Sequence, residues 1–410
     1  MYPIKAVHRR PNVQRSKPAN WLAGVLLSAL AGSAQAELEF SGKIDVEAKV
    51  FTEDASLSSQ EDSNLSVLIE PQWVWQSESQ QHLLQFKPML RLDQNDDQRT
   101  HGDIREAYWI YIQDDWEVRT GIRKEFWGVT EFQHLVDVIN QTDLVENISG
   151  EEKLGQPMVN LSIAADSGIW DFYILPGFRE RTFTDIDGRP SLPVEISSNA
   201  QYESSAKEYH TDLAARWSQN FDWLDLTASI FHGTNREPIM NPVNNKGTIE
   251  LSPYYEQMTQ VGSTAQAIWL DWLFKVEMIH RDSSSETFTA MHTGFEYTLY
   301  GIDDSNTDLG LILEYGWDER KKEASSVMQN DLFAGLRFTL NDEEGSEILA
   351  GLGRDMDFDT MSFSVEASQR LNNYWKISGE ARLVETNDSQ DQLYNFRKDD
   401  YLQLTLSRYF

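Results

Sequence analysis

From Leu38 onward, apolar and polar residues alternate in short runs. Phe40, Gly42, Ile44, Val46, Ala48 and Val50 hold one parity, and Ser41, Lys43, Asp45, Glu47 and Lys49 hold the other. Successive side chains of a strand point to opposite faces, so a period of two predicts a strand with one apolar and one charged face. The same alternation sets Met361, Phe363, Val365 and Ala367 against Ser362, Ser364, Glu366 and Ser368. It sets Ile377, Gly379, Ala381 and Leu383 against Lys376, Ser378, Glu380 and Arg382, and Leu332, Ala334, Leu336 and Phe338 against Asp331, Gly335 and Arg337. In the last ten residues Leu402, Leu404 and Leu406 alternate with Gln403, Thr405 and Ser407, beginning at Tyr401 and ending at Phe410. About eighteen such segments are predicted, each near the length a tilted strand needs to cross a bilayer. They fall near 38–50, 64–76, 81–93, 103–113, 115–123, 158–166, 168–176, 208–218, 222–232, 255–269, 272–281, 287–300, 307–318, 328–340, 346–355, 359–370, 374–385 and 397–410. Losing the short hairpin at 158–176 would leave sixteen.

The links alternate as well. Short ones at 77–80, 114–115, 167, 219–221, 270–271, 301–306, 341–345 and 371–373 are interleaved with longer polar ones, the longest at 124–157 and 177–207. Trp73, Trp75, Trp109, Trp116, Trp170, Trp217, Trp223, Trp269, Trp272 and Trp375 all lie within a few residues of a short link. Tryptophan confined to one end of a sheet marks a water–lipid interface; a soluble sandwich scatters it through the core.

Composition narrows the class. Only 40% of residues are hydrophobic, and past residue 36 no apolar run approaches a spanning helix, which excludes a helical membrane protein but not a barrel. The formal charge of -31 disfavours nucleic acid as a partner. Cysteine is absent, so disulfides and thiolate metal sites are excluded. Residues 1–36 combine a basic segment, an apolar core at 21–31 and Ala34-Gln35-Ala36, the pattern of a cleaved secretory signal peptide, with 37–410 expected to form one domain.

An export signal together with a final alternating strand ending in Phe410 resembles the Gram-negative outer-membrane β-barrels of the porin type. The resemblance implies an all-β, transmembrane, antiparallel up-and-down barrel, localised to the outer membrane, with short periplasmic turns and long extracellular loops. It implies that Tyr401, Leu402, Leu404, Leu406 and Phe410 form the signal read by the barrel assembly machinery. Outer-membrane lipid, lipopolysaccharide and small polar solutes are the other implied partners, with a homo-trimer possible and no cofactor. Arg408 departs from the pattern, standing where the family usually has an apolar residue.

If the apolar faces meet lipid, the alternate residues line a lumen. Lys87, Arg91, Arg105, Arg119 and Arg123 are expected inward on three consecutive strands as a basic wall. Glu296, Glu314, Glu366 and Glu380 are expected as an acidic wall opposite. Separated walls of opposite sign would orient polar solutes, resembling general diffusion porins; local pairing of the same charges is the alternative. The loop 124–157 carries an apolar run that predicts a constriction folded into the lumen, with Trp127, Glu131, His134 and Asp137 among its residues, and 177–207 is expected to share that role or to cap the mouth. A metal site at Glu131, His134 and Asp137 is disfavoured against a histidine satisfied by its neighbours. The function expected is passive diffusion of small polar or charged solutes without a chemical step. The alternatives are a plugged barrel serving a periplasmic transport system, and a barrel-embedded hydrolase using His232 with Ser229 and Asp225, or His292.

Overall fold

The computed structural model describes residues 37–410; the predicted signal peptide lies outside the described residues. The strands are β1 (Glu37–Phe51), β2 (Ser63–Gln76), β3 (His82–Asp93), β4 (His101–Ile112), β5 (Trp116–Arg123), β6 (Gln156–Ala165), β7 (Gly168–Pro176), β8 (Gln201–Tyr202), β9 (Thr211–Asn220), β10 (Leu224–Thr234), β11 (Ile239–Asn245), β12 (Thr248–Tyr255), β13 (Gln257–Trp269), β14 (Trp272–Ser283), β15 (Thr287–Leu299), β16 (Asp308–Asp318), β17 (Asn330–Thr339), β18 (Glu347–Asp355), β19 (Met361–Asn372), β20 (Trp375–Glu385) and β21 (Tyr401–Tyr409). Eighteen of them form one sheet. Each pairs antiparallel with the next barrel strand, and β21 returns to β1, with Tyr401 opposite Phe51 and Tyr409 opposite Lys43. The sheet therefore closes and has no free edges, as a sheet in hydrocarbon must.

The alternation decides which face is which. Leu402 and Leu404 are 57% and 53% exposed on the outside, whereas Tyr401 and Ser407 of the same strand are buried inside. Aromatic rings gather at the tight-turn end: Trp73 stacks on Phe86 at 5.8 Å, Trp170 meets Trp217 at 6.4 Å and Trp272 meets Tyr297 at 4.6 Å. An apolar outer face with an interfacial girdle is the surface of a membrane-spanning barrel, with its tight turns periplasmic and its long loops extracellular. Arg408, on the outward parity at that end, lies over the rings of Tyr374 and Trp375, a cation–π cradle that lets a charge sit among the girdle.

The seam is close-packed. Gly42 and Phe410 exchange backbone hydrogen bonds of 3.0 and 3.1 Å, and the Phe410 ring lies 5.6 Å from that of Phe40. A Cβ on Gly42 would fall 2.7 Å from the Phe410 ring, so only glycine admits the last aromatic here. A second irregularity sits between β3 and β4, where the register shifts at Lys87 and Pro88. Strict alternation from the outward Trp109 and Ala107 would send Arg105 to lipid; the bulge turns it into the lumen, where it is buried.

Eighteen barrel strands match the eighteen expected segments. What alternation does not reveal is a small three-stranded sheet of β8, β11 and β12 built from the extracellular loops, with β12 parallel to β8.

Candidate functional site: a lumen half filled by an inward loop

The loop 124–155 leaves the wall at the end of β5, the shortest barrel strand, and runs into the barrel. Its apolar residues Trp127, Val136, Val138 and Ile139 are buried against inward side chains of β6, β7, β9, β10, β13, β14 and β15, including Met158, Tyr173, Phe231, Ile279 and Phe288. An oily interior core of this kind removes apolar surface from the water of the lumen.

Two wall carboxylates pin the loop. Glu277 of β14, 0% exposed, accepts hydrogen bonds from the amides of Val129 at 2.6 Å, Thr130 at 3.0 Å and Val136 at 3.2 Å, and from the Thr130 hydroxyl at 2.8 Å. Glu314 of β16, 1% exposed, accepts from the amides of Glu131 at 2.9 Å and Phe132 at 3.1 Å and contacts His292 Nε2 at 2.9 Å. Buried carboxylates collecting backbone N–H donors satisfy both partners at once. Beyond them Phe132 stacks on Phe333 at 4.9 Å in a niche floored by Gly351, whose Cβ would stand 2.8 Å from the ring.

The remaining predicted loop residues diverge. Asp137 accepts from the amides of Trp127 and Gly128 at 2.7 and 3.1 Å, closing the loop on itself. Glu131 reaches Arg337 of β17 at 2.6 Å, and His134 Nδ1 lies 3.9 Å from Glu277. Burial works to lower the His134 pKa, but Glu277 beside it wins and holds the ring above its ordinary value of 6.5. Burial raises the carboxyls of Asp137 and Glu125 on the same loop. Among the described residues no group of three or more His, Asp or Glu is placed to hold a metal ion.

The five basic residues expected as a wall do face inward, but each meets a carboxylate. Lys87 pairs with Glu70 at 3.0 Å, Arg119 with Glu117, and Arg123 with Glu125 at 2.9 Å. Arg91 lies 2.7 Å from Glu146 and 3.4 Å from Glu47, and Arg105 binds Asp143; Glu146 and Asp143 come from the loop. Local pairing, the alternative to a bare basic wall, describes this side of the barrel. Lys49, which alternation places on the charged face of β1 but outside the expected basic wall, and Arg99, which the sequence reading missed, belong to the same buried cluster, Arg99 reaching Glu47 at 2.8 Å and Asp93 at 2.9 Å. The acidic set divides too. Glu314 lies under the loop and not on open lumen, whereas Glu366 and Glu380 bracket Arg382, and Glu296 lies 3.5 Å from Arg337.

The filling is one-sided. Inward residues of β6, β7 and β13–β16 are largely buried, but Ser362, Ser364, Glu366 and Ser368 of β19, Ser378, Glu380 and Arg382 of β20, and Gln403 and Thr405 of β21 keep part of their surface accessible. Short polar side chains predominate on that wall.

At the extracellular mouth 177–207 acts as a strap. Arg189 contacts Asp62 and Asp399, each at 2.9 Å, and Gln60 donates to the carbonyls of Ile186 and Gly188. Arg179 forks onto Asp103 at 2.9 and 3.3 Å.

This architecture is that of a closed, eighteen-stranded antiparallel β-barrel with an apolar outer face and a loop folded inside it. No protein-family model and no curated protein matches the sequence. Solved structures similar in fold include OmpT with loop L8 deleted, an outer membrane protein of Vibrio cholerae, at 11% identity and a TM-score of 0.44, covering 92% of this chain and 99% of that one. A variant of the Rh. blastica porin is similar at 10% identity with a TM-score of 0.44, covering 91% of this chain and all of that one.

The hydrolase constellation is taken apart by strand parity. His232 is exposed on the outer face with its Nδ1 2.9 Å from Thr259 Oγ1, while Ser229 and Asp225 take the opposite parity on β10. His292 is fully buried against Glu314 in the loop anchor.

Proposed function

We propose that this protein is a channel through which small polar or charged solutes diffuse down their gradients, with 124–155 as its constriction. The observation that carries the reading is the one-sided lumen: a loop fixed by Glu277 and Glu314 against β14 and β16, facing a wall of serines and ion-paired residues on β19 and β20. A loop serving only as an outer cap has no need of buried anchors inside the barrel. Solutes cross without a chemical step, and the water-lined side selects by size and charge. Purified protein in planar bilayers should give discrete ohmic steps. Deleting 126–139, which removes the apolar packing and both sets of anchored amides, should raise the step size at least twofold, since conductance follows the open cross-section. Silent bilayers would favour the plugged-barrel alternative, and an unchanged step would place the narrowest point elsewhere.

A further inference from the structure

We infer that the passage prefers cations, so that the solutes of the channel proposed above are small cationic or zwitterionic molecules rather than anions. The inference rests on that reading and on the stoichiometry of the ion pairs facing the accessible side. Arg382 is shared by Glu366, at 3.0 Å, and Glu380. Arg337 is shared by Glu131 at 2.6 Å, Glu347 at 3.0 Å and Glu296 at 3.5 Å. Lys275 also reaches Glu131, at 3.8 Å, so three cations answer five carboxylates, and Glu347 and Glu366 each keep 46% of their side-chain surface accessible. A guanidinium bridging several acids is electrostatically spent, and the surplus charge belongs to the open space in front of it.

Two independent features point the same way. On the loop facing this wall Glu151 is exposed, and Glu131 shares Arg337 with Glu296 and Glu347 of the wall, so the loop adds carboxylates to the same side. The bases that might have balanced them are withdrawn: Arg91, Arg99 and Arg105 are buried and committed to Glu47, Asp93, Asp143 and Glu146. Lys87 and Lys43 pair one to one, with Glu70 at 3.0 Å and Asp45 at 2.7 Å. Arg370 and Lys376 sit beside the periplasmic turn at 373–374, away from the loop.

The test is the zero-current potential of reconstituted full-length protein across a KCl gradient. The parent channel should favour K+ over Cl−. Neutralising one carboxylate about 5 Å from the ion path in a water-like dielectric shifts K+ and Cl− about fourfold each in opposite directions in dilute salt, so Glu366→Gln should cut the preference on the order of tenfold and the Glu347→Gln/Glu366→Gln pair further. Arg382→Gln, which leaves both of its acids uncompensated, should raise it. Conducting channels that prefer Cl−, or a K+ preference that neither set of variants moves, would overturn the inference while leaving the channel reading intact. Absence of conductance would overturn both.

Discussion

At the scale of single residues, the wall charges divide by what they can find in reach. A carboxylate at Glu277 or Glu314 is surrounded by amides of the incoming loop and becomes an anchor; one at Glu366 meets only a shared guanidinium and stays wet. Parity makes Glu277 legible as inward-facing, but not as an anchor, because its partners are backbone donors of a loop whose path no alternation encodes. Replacing Glu277 with Ala strands three amides and a hydroxyl in a dry setting, at about 1–3 kcal/mol for each unsatisfied group. The expected result is release of the loop, seen as at least tenfold faster hydrogen exchange at residues 127–137 and a noisier open level. Unchanged exchange would mean that the apolar packing alone holds it.

The loop as an element carries its own pH dependence. A histidine whose folded pKa is raised stabilises the folded arrangement fully below its ordinary value of 6.5, and that contribution fades as pH climbs through the raised value. The raised carboxyls of Asp137 and Glu125 act with the same sign, since the docked loop holds their protons more tightly than a free one. Docking should therefore tighten on mild acidification. Open-level noise recorded from pH 8 down to pH 6 should fall, and His134→Asn should flatten the trend; noise that rises toward acid would contradict the assignment. Most of this element was readable beforehand: a run as apolar as Trp127 to Ile139 cannot stand in water, so folding inward was the natural expectation. The β11–β12 hairpin was not seen, although Asn244, Asn245, Lys246 and Gly247 between alternating residues supply a turn signal. β12 does alternate, Ile249, Leu251, Pro253 and Tyr255 against Thr248, Glu250 and Ser252, but this short hairpin lies within a long link outside the barrel, where a strand is easily read as loop.

For the whole molecule, closure was the most legible property. Leu402, Leu404 and Leu406 need an apolar surrounding that the chain itself does not provide, and a lipid-facing sheet has to join its edges. The bulge at Arg105 was hidden, because a shift of register leaves no trace in composition. Phe410 completes the join: its backbone bonds reciprocally to Gly42 and its ring packs on Phe40. Removing Phe410 should lower the yield of assembled, heat-modifiable barrel in the outer membrane severalfold, whereas Arg408→Leu, on the same face, should be tolerated. Equal yield from the Phe410 deletion would place the assembly signal elsewhere in the chain.

The same join has a temporal meaning. Lys49 meets Gln403 and Val50 meets Leu402, so the first barrel strand pairs with the barrel strand that follows all the others in the chain. Neighbouring hairpins are able to zip as they emerge, but the ring stays an open ribbon until its two most distant strands meet, a step of maximal loop-closure entropy. During that interval the unpaired margins of β1 and β21 are templates for any other strand, a hazard that ends only when the two meet.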